Sequence, residues 1–538
     1  MGALNINYVY APIWPAGINW YNINDTGFYT VPKSSNIQSS YGGSLWMGGL
    51  DDQGNLHLAA ETYHQNGFDF YPGPVHEQTV STSNAICEDY NKVWKLNKTA
   101  VDSFRQLYNS PGYQIPDEIL SWPGNGPTGY AGRLAPFEDL NNNGIYEPTL
   151  GEYPAWDYQQ KRWYYNELHG DQVIYKIFND VGNQHTASGH LPIGVEVHQL
   201  SYAYRTSGSP MDYVTFHDFK IINKSEEDYH DFFIGFFADT DIGNYQDDKQ
   251  GFHVAHNMIY TYNGDDDDEG ASGYGLHPPA IGVQVTKGIL ADANDGVDND
   301  RDLTIDEPYE QMLISYAIPR DNPSLPQYHS EYQILQGKCV DNNFYSHTGC
   351  VQRSDTTSRF AYPGYSDTTY GFSFGGTAQD PIKIEALFDP NTSDKRNYIS
   401  MGPIIFESGE VQTFTIAVNY ARTTNGGAKG SVEELFHVAT AAQQIFDYEY
   451  NNQALSSPSF PSKSKLKIYP NPSKGLFNLD FTEHLYGTRI QIFDTLGKLV
   501  HESKLSPILD LSILADGLYI YQVHTGTIPL SGKIQIQR

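Results

Sequence analysis

The sequence has little cysteine, little positive charge and no long hydrophobic run. Its 538 residues include three cysteines, six methionines and 33 Lys and Arg, against 64 Asp and Glu. The net charge of −31 repels nucleic-acid phosphates and anionic lipid head groups, so we expect neither as a partner. No apolar run approaches the ~20 residues that span a bilayer, which argues against a membrane-spanning helix. The absence of any Cys-x-x-Cys pair argues against a cysteine zinc site.

Motifs of common enzyme classes are also missing. The sequence has no Gly-x-Ser-x-Gly elbow, no His-Glu-x-x-His, no Walker loop and no dinucleotide-binding glycine fingerprint. A glycan hydrolase needs two carboxylates ~5–9.5 Å apart, often from distant strands, and a sequence does not exclude such a pair. We therefore favour a non-catalytic protein and keep a secreted glycan hydrolase as an alternative.

Aromatic residues and turn formers are abundant. The chain has 41 Tyr, 26 Phe, 49 Gly and 30 Pro, a mixture that favours many short strands joined by loops. Residues 211–223 and 230–241 are dense in aromatic and β-branched residues, which predicts strands buried on both faces of a sandwich. The length predicts two to four domains. We expect a mainly β, multi-domain β-sandwich protein.

One amphipathic helix is predicted late in the chain, over residues 431–446. Ser431 and Glu434 have the spacing of a capping box. Its apolar residues fall on one stripe: Val432, Leu435, Phe436, Ala439, Ala442 and Phe446. Such a helix beside a mainly β chain predicts a structural pad. The acidic run at 264–270 has no pattern, and we expect a mobile loop there.

The cysteines and the first residues bear on the compartment. Cys339 and Cys350 bracket a short, turn-rich segment, which predicts a local disulfide in an oxidising environment. Cys87 is left over, and we expect a small buried apolar residue there. Residues 1–17 lack the basic and apolar regions of a signal peptide. If the protein is secreted, we expect this chain to be its mature or trimmed form.

The end of the chain differs in composition from the rest. Residues 451–465 are rich in Ser, Pro and Lys, as in a linker. Beyond them, Phe477, Leu479 and Phe481 alternate with polar residues, as in a half-buried strand. Residues 466–538 hold seven Lys and Arg and six Asp and Glu, a net of +1, so the preceding residues carry −31 − 1 = −32. These features predict a separate, nearly neutral, small β-sandwich.

A spaced set of Tyr, Pro, Gly, Asn and Asp residues runs through this tail. The set comprises Tyr469, Pro470, Asn471, Pro472, Gly475, Asp494, Gly497, Gly517 and Tyr519. In order and spacing the tail resembles the type A C-terminal sorting domain of the bacterial type IX secretion system. The resemblance implies an immunoglobulin-like sandwich that the type IX translocon and sorting machinery recognise. It also implies that the tail is typically removed while the preceding residues, here called the passenger, are attached to surface lipopolysaccharide of a Gram-negative cell.

Five stretches of the passenger carry a second resemblance. They lie at 42–74, 134–154, 169–185, 235–248 and 274–282. They are similar to an uncharacterised group of type IX-exported proteins, for which no activity is implied.

Four segments follow from these observations. We predict an N-terminal β-rich region with a calcium-type loop at 1–190 and a β-sandwich domain with acidic loops and the terminal helix at 191–450. A linker at 451–465 and the sorting domain at 466–538 complete the chain.

The first candidate calcium loop lies at 139–147. Oxygen-bearing residues at alternate positions followed by Gly144 resemble the first half of an EF-hand loop. The candidate ligands are Asp139, Asn141, Asn143, Ile145 through its carbonyl, and Glu147. Leu150 stands where an EF-hand has its bidentate Glu, so we expect a short calcium loop and not a true EF-hand.

The second candidate loop is more acidic. Its candidate ligands are Asp298, Asp300, Asp302, Thr304, Asp306 and Glu307. They resemble the acidic calcium repeats of extracellular matrix proteins, although Leu303 occupies the usual Gly position. Carboxylates this dense repel one another without a cation.

A third candidate follows the predicted strand at 230–241. Its residues are Asp239, Asp241, Asp247 and Asp248. For each of the three candidates the alternative is a solvated acidic turn, because Asp, Asn and Gly favour turns. A bound ion would brace a loop and not carry out chemistry.

Together the sequence predicts an exported, calcium-braced surface protein with a structural or adhesive role, in an extracellular layer, a filament or an adhesin. Its partners would be further copies of itself or a surface glycan. The alternatives make distinct demands: a hydrolase needs a cleft with two converging carboxylates, and a monomeric carbohydrate-binding protein needs an exposed aromatic platform. Residues 14–23 and 156–165 are richest in aromatics, and core packing is the alternative for them.

Overall fold

The chain folds as two compact units, Met1–Ala454 and Leu455–Arg538. The computed structural model describes residues 1–21, 28–63, 67–155, 157–158, 161–162, 169–206, 208–302, 304–307, 309–320, 331–339, 342–345, 359–360, 394–454, 466–481, 489–494, 498–524 and 530–538. Strands make up 40% and helices 15%, which confirms the mainly β prediction.

The passenger consists mostly of short strands. In chain order they are β1 (Gly2–Leu4), β2 (Ala11–Ile13), β3 (Ile18–Asn19), β4 (Tyr29–Thr30), β5 (Gln38–Ser40), β6 (Gly42–Leu50), β7 (Leu56–Ala60), β8 (Tyr71–Pro72), β9 (Trp94–Asn97), β10 (Phe137–Glu138), β11 (Tyr153–Pro154), β12 (Asp157–Tyr158), β13 (Lys161–Arg162), β14 (Gln172–Asn179), β15 (Val195–Ala203), β16 (Val214–Asn223), β17 (Tyr229–Asp239), β18 (Asp248–His253), β19 (Met258–Asn263), β20 (Asp267–Asp268), β21 (Gly275–Leu276), β22 (Ala280–Lys287), β23 (Ile289–Leu290), β24 (Gln311–Met312), β25 (Tyr316–Arg320), β26 (Arg396–Phe406) and β27 (Val411–Ala421).

Two large antiparallel sheets contain most of these strands. The first has the order β1-β2-β3-β6-β17-β26-β25, with β7 also paired to β6. The second has the order β18-β19-β22-β27-β16-β15-β14-β8, with β9 also paired to β14. Both sheets combine strands from before and after residue 190, where we expected a division of the passenger.

The main core lies between the two sheets. Phe219 and Ile221 of β16 belong to this core with Phe236 of β17, and the rings of Phe219 and Phe236 are 6.1 Å apart. Val214 and Phe216 of β16 instead belong to a second core on the opposite face of the same sheet. Both predicted aromatic segments are therefore strands buried on two faces, as expected from their patterning.

Helices pack against both large sheets, and the longest one covers the outer face of the second sheet. They are α1 (Asn84–Asp89), α2 (Lys98–Leu107), α3 (Asp117–Leu120), α4 (Glu331–Leu335) and α5 (Gly427–Ala454). The predicted stripe of α5 packs into the second core, where Leu435, Ala439 and Ala442 are fully buried. Within the described residues, no helix is both long and apolar enough to cross a membrane.

The start of α5 differs from the prediction. The helix begins at Gly427, so Ser431 lies inside its first turns and the predicted capping box is wrong. The backbone N–H of Ala428 instead donates to Asp266 Oδ1 at 3.0 Å. Asp266 belongs to the acidic run 264–270, for which a mobile loop was expected. The run is held by hydrogen bonds, because buried Asp268 accepts the N–H groups of Asn244 and Tyr274.

The tail is a small β-sandwich of its own. Its strands are β28 (Leu466–Tyr469), β29 (Leu476–Phe481), β30 (Arg489–Phe493), β31 (Leu499–Lys504), β32 (Ile508–Asp510), β33 (Gly517–His524) and β34 (Leu530–Ile536). They form one sheet of order β28-β29-β32 and another of order β31-β30-β33-β34. Phe477 and Leu479 of the first sheet share a core with Ile490, Ile492 and Val523 of the second.

Candidate functional site

The loop at 139–147 is closed by hydrogen bonds among its own polar groups. Asp139 is buried after β10, and its carboxylate accepts the N–H groups of Asn143 at 3.1 Å and Gly144 at 2.8 Å. The side-chain amides of Asn141 and Asn143 donate to Glu147 Oε2 at 3.0 and 2.6 Å. The side chain of Ile145 is exposed. The predicted ligands thus lie in one loop, and several of their oxygens are engaged by N–H donors.

A buried carboxylate outside the predicted ligand set anchors this loop, and its sequence position made it a candidate acid for the missing EF-hand Glu. Glu152 is fully buried, and its two oxygens accept the N–H groups of Leu140 at 3.2 Å and Glu147 at 2.7 Å. Glu152 immediately precedes β11, and the loop immediately follows β10. The pairing of β11 with β10 therefore places this carboxylate next to the loop.

The acidic loop that follows residue 291 brings carboxylates into two groups. Oxygens of Asp298, Asp300 and Asp302 lie within 4.8 Å of one another, and Asp300 forms a similar group with Glu307 and Glu310. Glu310 lies outside the predicted ligand set; it is buried and accepts the N–H of Asn299.

Local hydrogen bonds shape this loop. Asp302 N–H donates to Asp298 Oδ1 and Asp300 Oδ1, both at 3.1 Å, and Thr304 N–H donates to Asp302 Oδ1 at 2.8 Å. Asp306 lies outside both carboxylate groups and accepts the N–H of Gly296 at 2.9 Å. Burial, reinforced by neighbouring negative charges, raises the pKa of Asp300. Repulsion between the acids of this loop therefore costs electrostatic free energy, and a bound cation would reduce that cost.

The third predicted set divides in the structure. Asp239 and Asp241 lie with Asp394, a residue that the sequence analysis did not connect to them, and their oxygens are within 4.8 Å of one another. Asp247 and Asp248 lie outside this group, at the start of β18. Asp248 is buried and accepts the N–H of Ile242 at 2.9 Å.

Two of the three cysteines, Cys87 and Cys339, lie within the described residues. Cys339 is buried and disulfide-bonded, whereas Cys87 is a free, half-buried thiol whose pKa is raised by burial. Cys350 lies outside the described residues, so the pairing of Cys339 with Cys350 stays a prediction.

Several residues of the sorting set hold the tail sandwich together. The side chain of Asn471 donates to the carbonyl of Lys533 at 2.9 Å and accepts the N–H of Gln535 at 2.8 Å. Tyr469 ends β28, and the Pro470 and Pro472 peptide bonds on either side of Asn471 are cis. This segment therefore fastens the first strand of the tail to its last.

The remaining members of the set occupy turns and strand starts. Gly475 has φ +110°, and its carbonyl accepts the N–H of Leu511 at 2.7 Å. Asp494 Oδ1 accepts the N–H of Lys498 at 2.9 Å, and Gly497 lies outside the described residues. Gly517 begins β33, and the Tyr519 hydroxyl donates to the carbonyl of Ala515 at 2.8 Å.

The predicted aromatic stretches do not supply an exposed platform in the described residues. In 14–23, Trp20 is fully buried and Tyr21 nearly so, which favours the core-packing alternative. Residues 156–165 lie mostly outside the described residues.

A tyrosine-lined pocket lies elsewhere in the passenger, with a volume of about 680 Å³. The ring centroids of Tyr8 and Tyr213 are 5.2 Å apart and those of Tyr213 and Tyr420 are 6.2 Å apart, both pairs stacked. Tyr8 is 51% exposed. Glu434 of α5 and Arg422 also line the pocket. No sequence signal links these tyrosines, because they come from distant segments.

Comparison with known proteins identifies the tail. Residues 467–537 match the family model of the secretion system C-terminal sorting domain. Among solved structures, a polysaccharide lyase aligns at 7% identity over 64% of this chain and 34% of that structure, so the chain spans about a third of its length. The TM-score of 0.17 is too low to indicate a shared fold. No curated protein matches the chain. The match at 467–537 implies export to the cell surface or extracellular space, and the protein is a type IX secretion cargo that carries a C-terminal sorting domain.

Proposed function

We propose that the passenger is a calcium-braced, non-catalytic protein of the outer cell surface, with a structural or adhesive role. The observation that carries this proposal is the convergence of Asp298, Asp300 and Asp302 within one loop. A hard cation such as Ca²⁺ takes six to eight oxygen ligands from carboxylates, carbonyls and water. Stabilisation by a bound cation suits a protein displayed outside the cell. The ion would fix the conformation of the loop, and the surfaces of the sheets would contact partners.

We expect calcium to stabilise the full chain and to promote its assembly. Binding to the folded state at about 100 times the dissociation constant contributes about 2.7 kcal/mol. Calorimetric unfolding in millimolar calcium and in excess chelator measures this effect, and light scattering under the same conditions measures the mass. Asp302→Asn should lose the part of the stabilisation that this loop contributes, whereas Asp52→Asn, at an exposed position, should keep all of it.

An unfolding temperature that is unchanged by calcium would contradict the bracing. A monomer in both conditions would contradict self-assembly and favour an adhesive or glycan-binding role.

The tyrosine-lined pocket favours a second candidate function, binding of a neutral sugar. Stacked rings offer apolar faces, and the wall also carries hydroxyl groups of Ser209 and Thr423. Asp212 lines the same pocket, but its oxygens accept the N–H groups of Thr206 at 2.8 Å and Gly208 at 3.0 Å. An acid held in this way suits a binding site better than a hydrolase.

Tyr8→Ala should weaken glycan binding about tenfold, equivalent to about 1.4 kcal/mol, because the variant removes the exposed ring of the stack. Affinity electrophoresis against purified surface polysaccharide measures the loss. Tyr448→Ala is the matched control, since Tyr448 is 66% exposed on α5 and does not line the pocket. Equal retardation of both variants and the parent would exclude this pocket as the glycan site.

A further inference from the structure

Three carboxylates meet at one end of the first sheet. Asp239 is the last residue of β17, Asp241 follows two residues later, and Asp394 lies two residues before Arg396, where β26 begins. Oxygens of the three acids lie within 4.8 Å of one another. Asp239 is 2% exposed and Asp241 7% exposed, whereas the side chain of Asp394 is 29% exposed, so two of the three acids are shielded from water.

Each carboxylate uses one oxygen in a contact with the protein. Asp239 Oδ2 accepts the hydroxyl of Tyr63 and lies 3.8 Å from Arg396 Nε. Asp241 Oδ2 accepts the side-chain amide of Gln38 at 2.8 Å. Asp394 Oδ2 accepts Arg396 Nη2 at 2.7 Å.

Within the described residues, the other oxygen of each acid is buried and no N–H or O–H group donates to it. These are Asp239 Oδ1, Asp241 Oδ1 and Asp394 Oδ1. Buried acceptors normally have a partner because desolvation without one is costly. One such oxygen on each of the three neighbouring acids indicates a ligand that binds the acids together.

The electrostatics point to a cation. Arg396 lies beside Asp239 and Asp394, and burial followed by like-charge repulsion raises the pKa of Asp241 well above its ordinary value. Burial also raises the pKa of Asp239, although Arg396 opposes the shift. A divalent cation would offset the charge that Arg396 leaves and would partner the free oxygens.

We propose that Asp239, Asp241 and Asp394 bind one divalent cation, calcium by the hardness of the all-oxygen donor set, through their Oδ1 atoms. The ion would join the end of β17 to the residues that lead into β26, two neighbouring strands of the first sheet. The site is separate from the acidic loop at 298–307 and rests on the proposed function only for the identity of the ion.

The number of calcium ions bound per chain tests this site, measured by equilibrium dialysis and calorimetric titration of the full chain. Asp394→Asn should bind one ion fewer than the parent, or bind it at least tenfold more weakly, because a neutral amide replaces the carboxylate. Asp302→Asn should leave this ion in place. If Asp394→Asn binds as many calcium ions as the parent, the inference is wrong. If an ion is lost only in Asp302→Asn, the proposed function is supported and the additional site is not.

Discussion

Gly475→Val is expected to abolish export of the chain while the passenger stays folded. Gly475 adopts φ +110°, a conformation that side-chain-bearing residues rarely adopt. A Cβ at this position would lie 2.7 Å from Ser512 Cα and 3.0 Å from Ser512 N, and neither is a flexible side-chain atom that can move aside. A β-branched residue adds further bulk, and the small core of the tail has little stability with which to absorb the strain.

Fractionation of cells measures the effect. We expect surface-located chain to fall by about tenfold or more, because the strain at residue 475 should exceed the small stability of the tail and leave most of it unfolded. Gly517→Ala is the matched control in the same sorting set. Its Cβ would have no neighbour closer than 3.7 Å, an ordinary contact. Normal surface levels of Gly475→Val would mean that the secretion machinery does not require a folded tail.

Asp180→Ala is expected to lower the free energy of unfolding of the passenger by roughly 3–5 kcal/mol. Asp180 is fully buried, and its carboxylate accepts the N–H groups of Ile193, Gly194 and Val195 where β15 begins. Alanine would leave these three donors without their acceptor. It would also remove the carboxylate that lies 3.7 Å from Nε2 of buried His185.

Chemical denaturation of the full chain, followed by tryptophan fluorescence, measures this loss. The passenger contains the seven tryptophans of the sequence, so the signal reports that unit. Asp52→Ala is the control, because Asp52 is 73% exposed beside His230 and such a pair contributes little. Similar midpoints for the two variants would show that the buried carboxylate does not anchor β15.

Local patterns predicted the elements well. The aromatic segments that became β16 and β17 and the apolar stripe of α5 follow repeats of two and 3.6 residues, which record the buried faces. Such repeats do not record which distant segment supplies a partner. The cap of α5 comes from Asp266, 162 residues before Ala428, so a local capping motif does not identify it.

The candidate sites also differ in how far the sequence alone predicts them. Acids that are close in sequence, such as Asp298, Asp300 and Asp302, could be identified as a cluster because one loop contains them. Asp394 joins Asp239 only because β26 pairs with β17, and Tyr8 meets Tyr213 only through the fold. Strand neighbours fix these contacts, and one sequence without pairing information does not specify them.

The position of β27 has a consequence for the order of folding. This strand comes near the end of the passenger, yet it lies between β22 and β16 inside the second sheet. During synthesis, β14 to β22 are complete before their central partner exists, so the sheet cannot close until β27 has left the ribosome. Pairing across such sequence distances is slow. The second sheet is therefore completed late, when only α5 and residues 455–465 separate the passenger from the sorting domain.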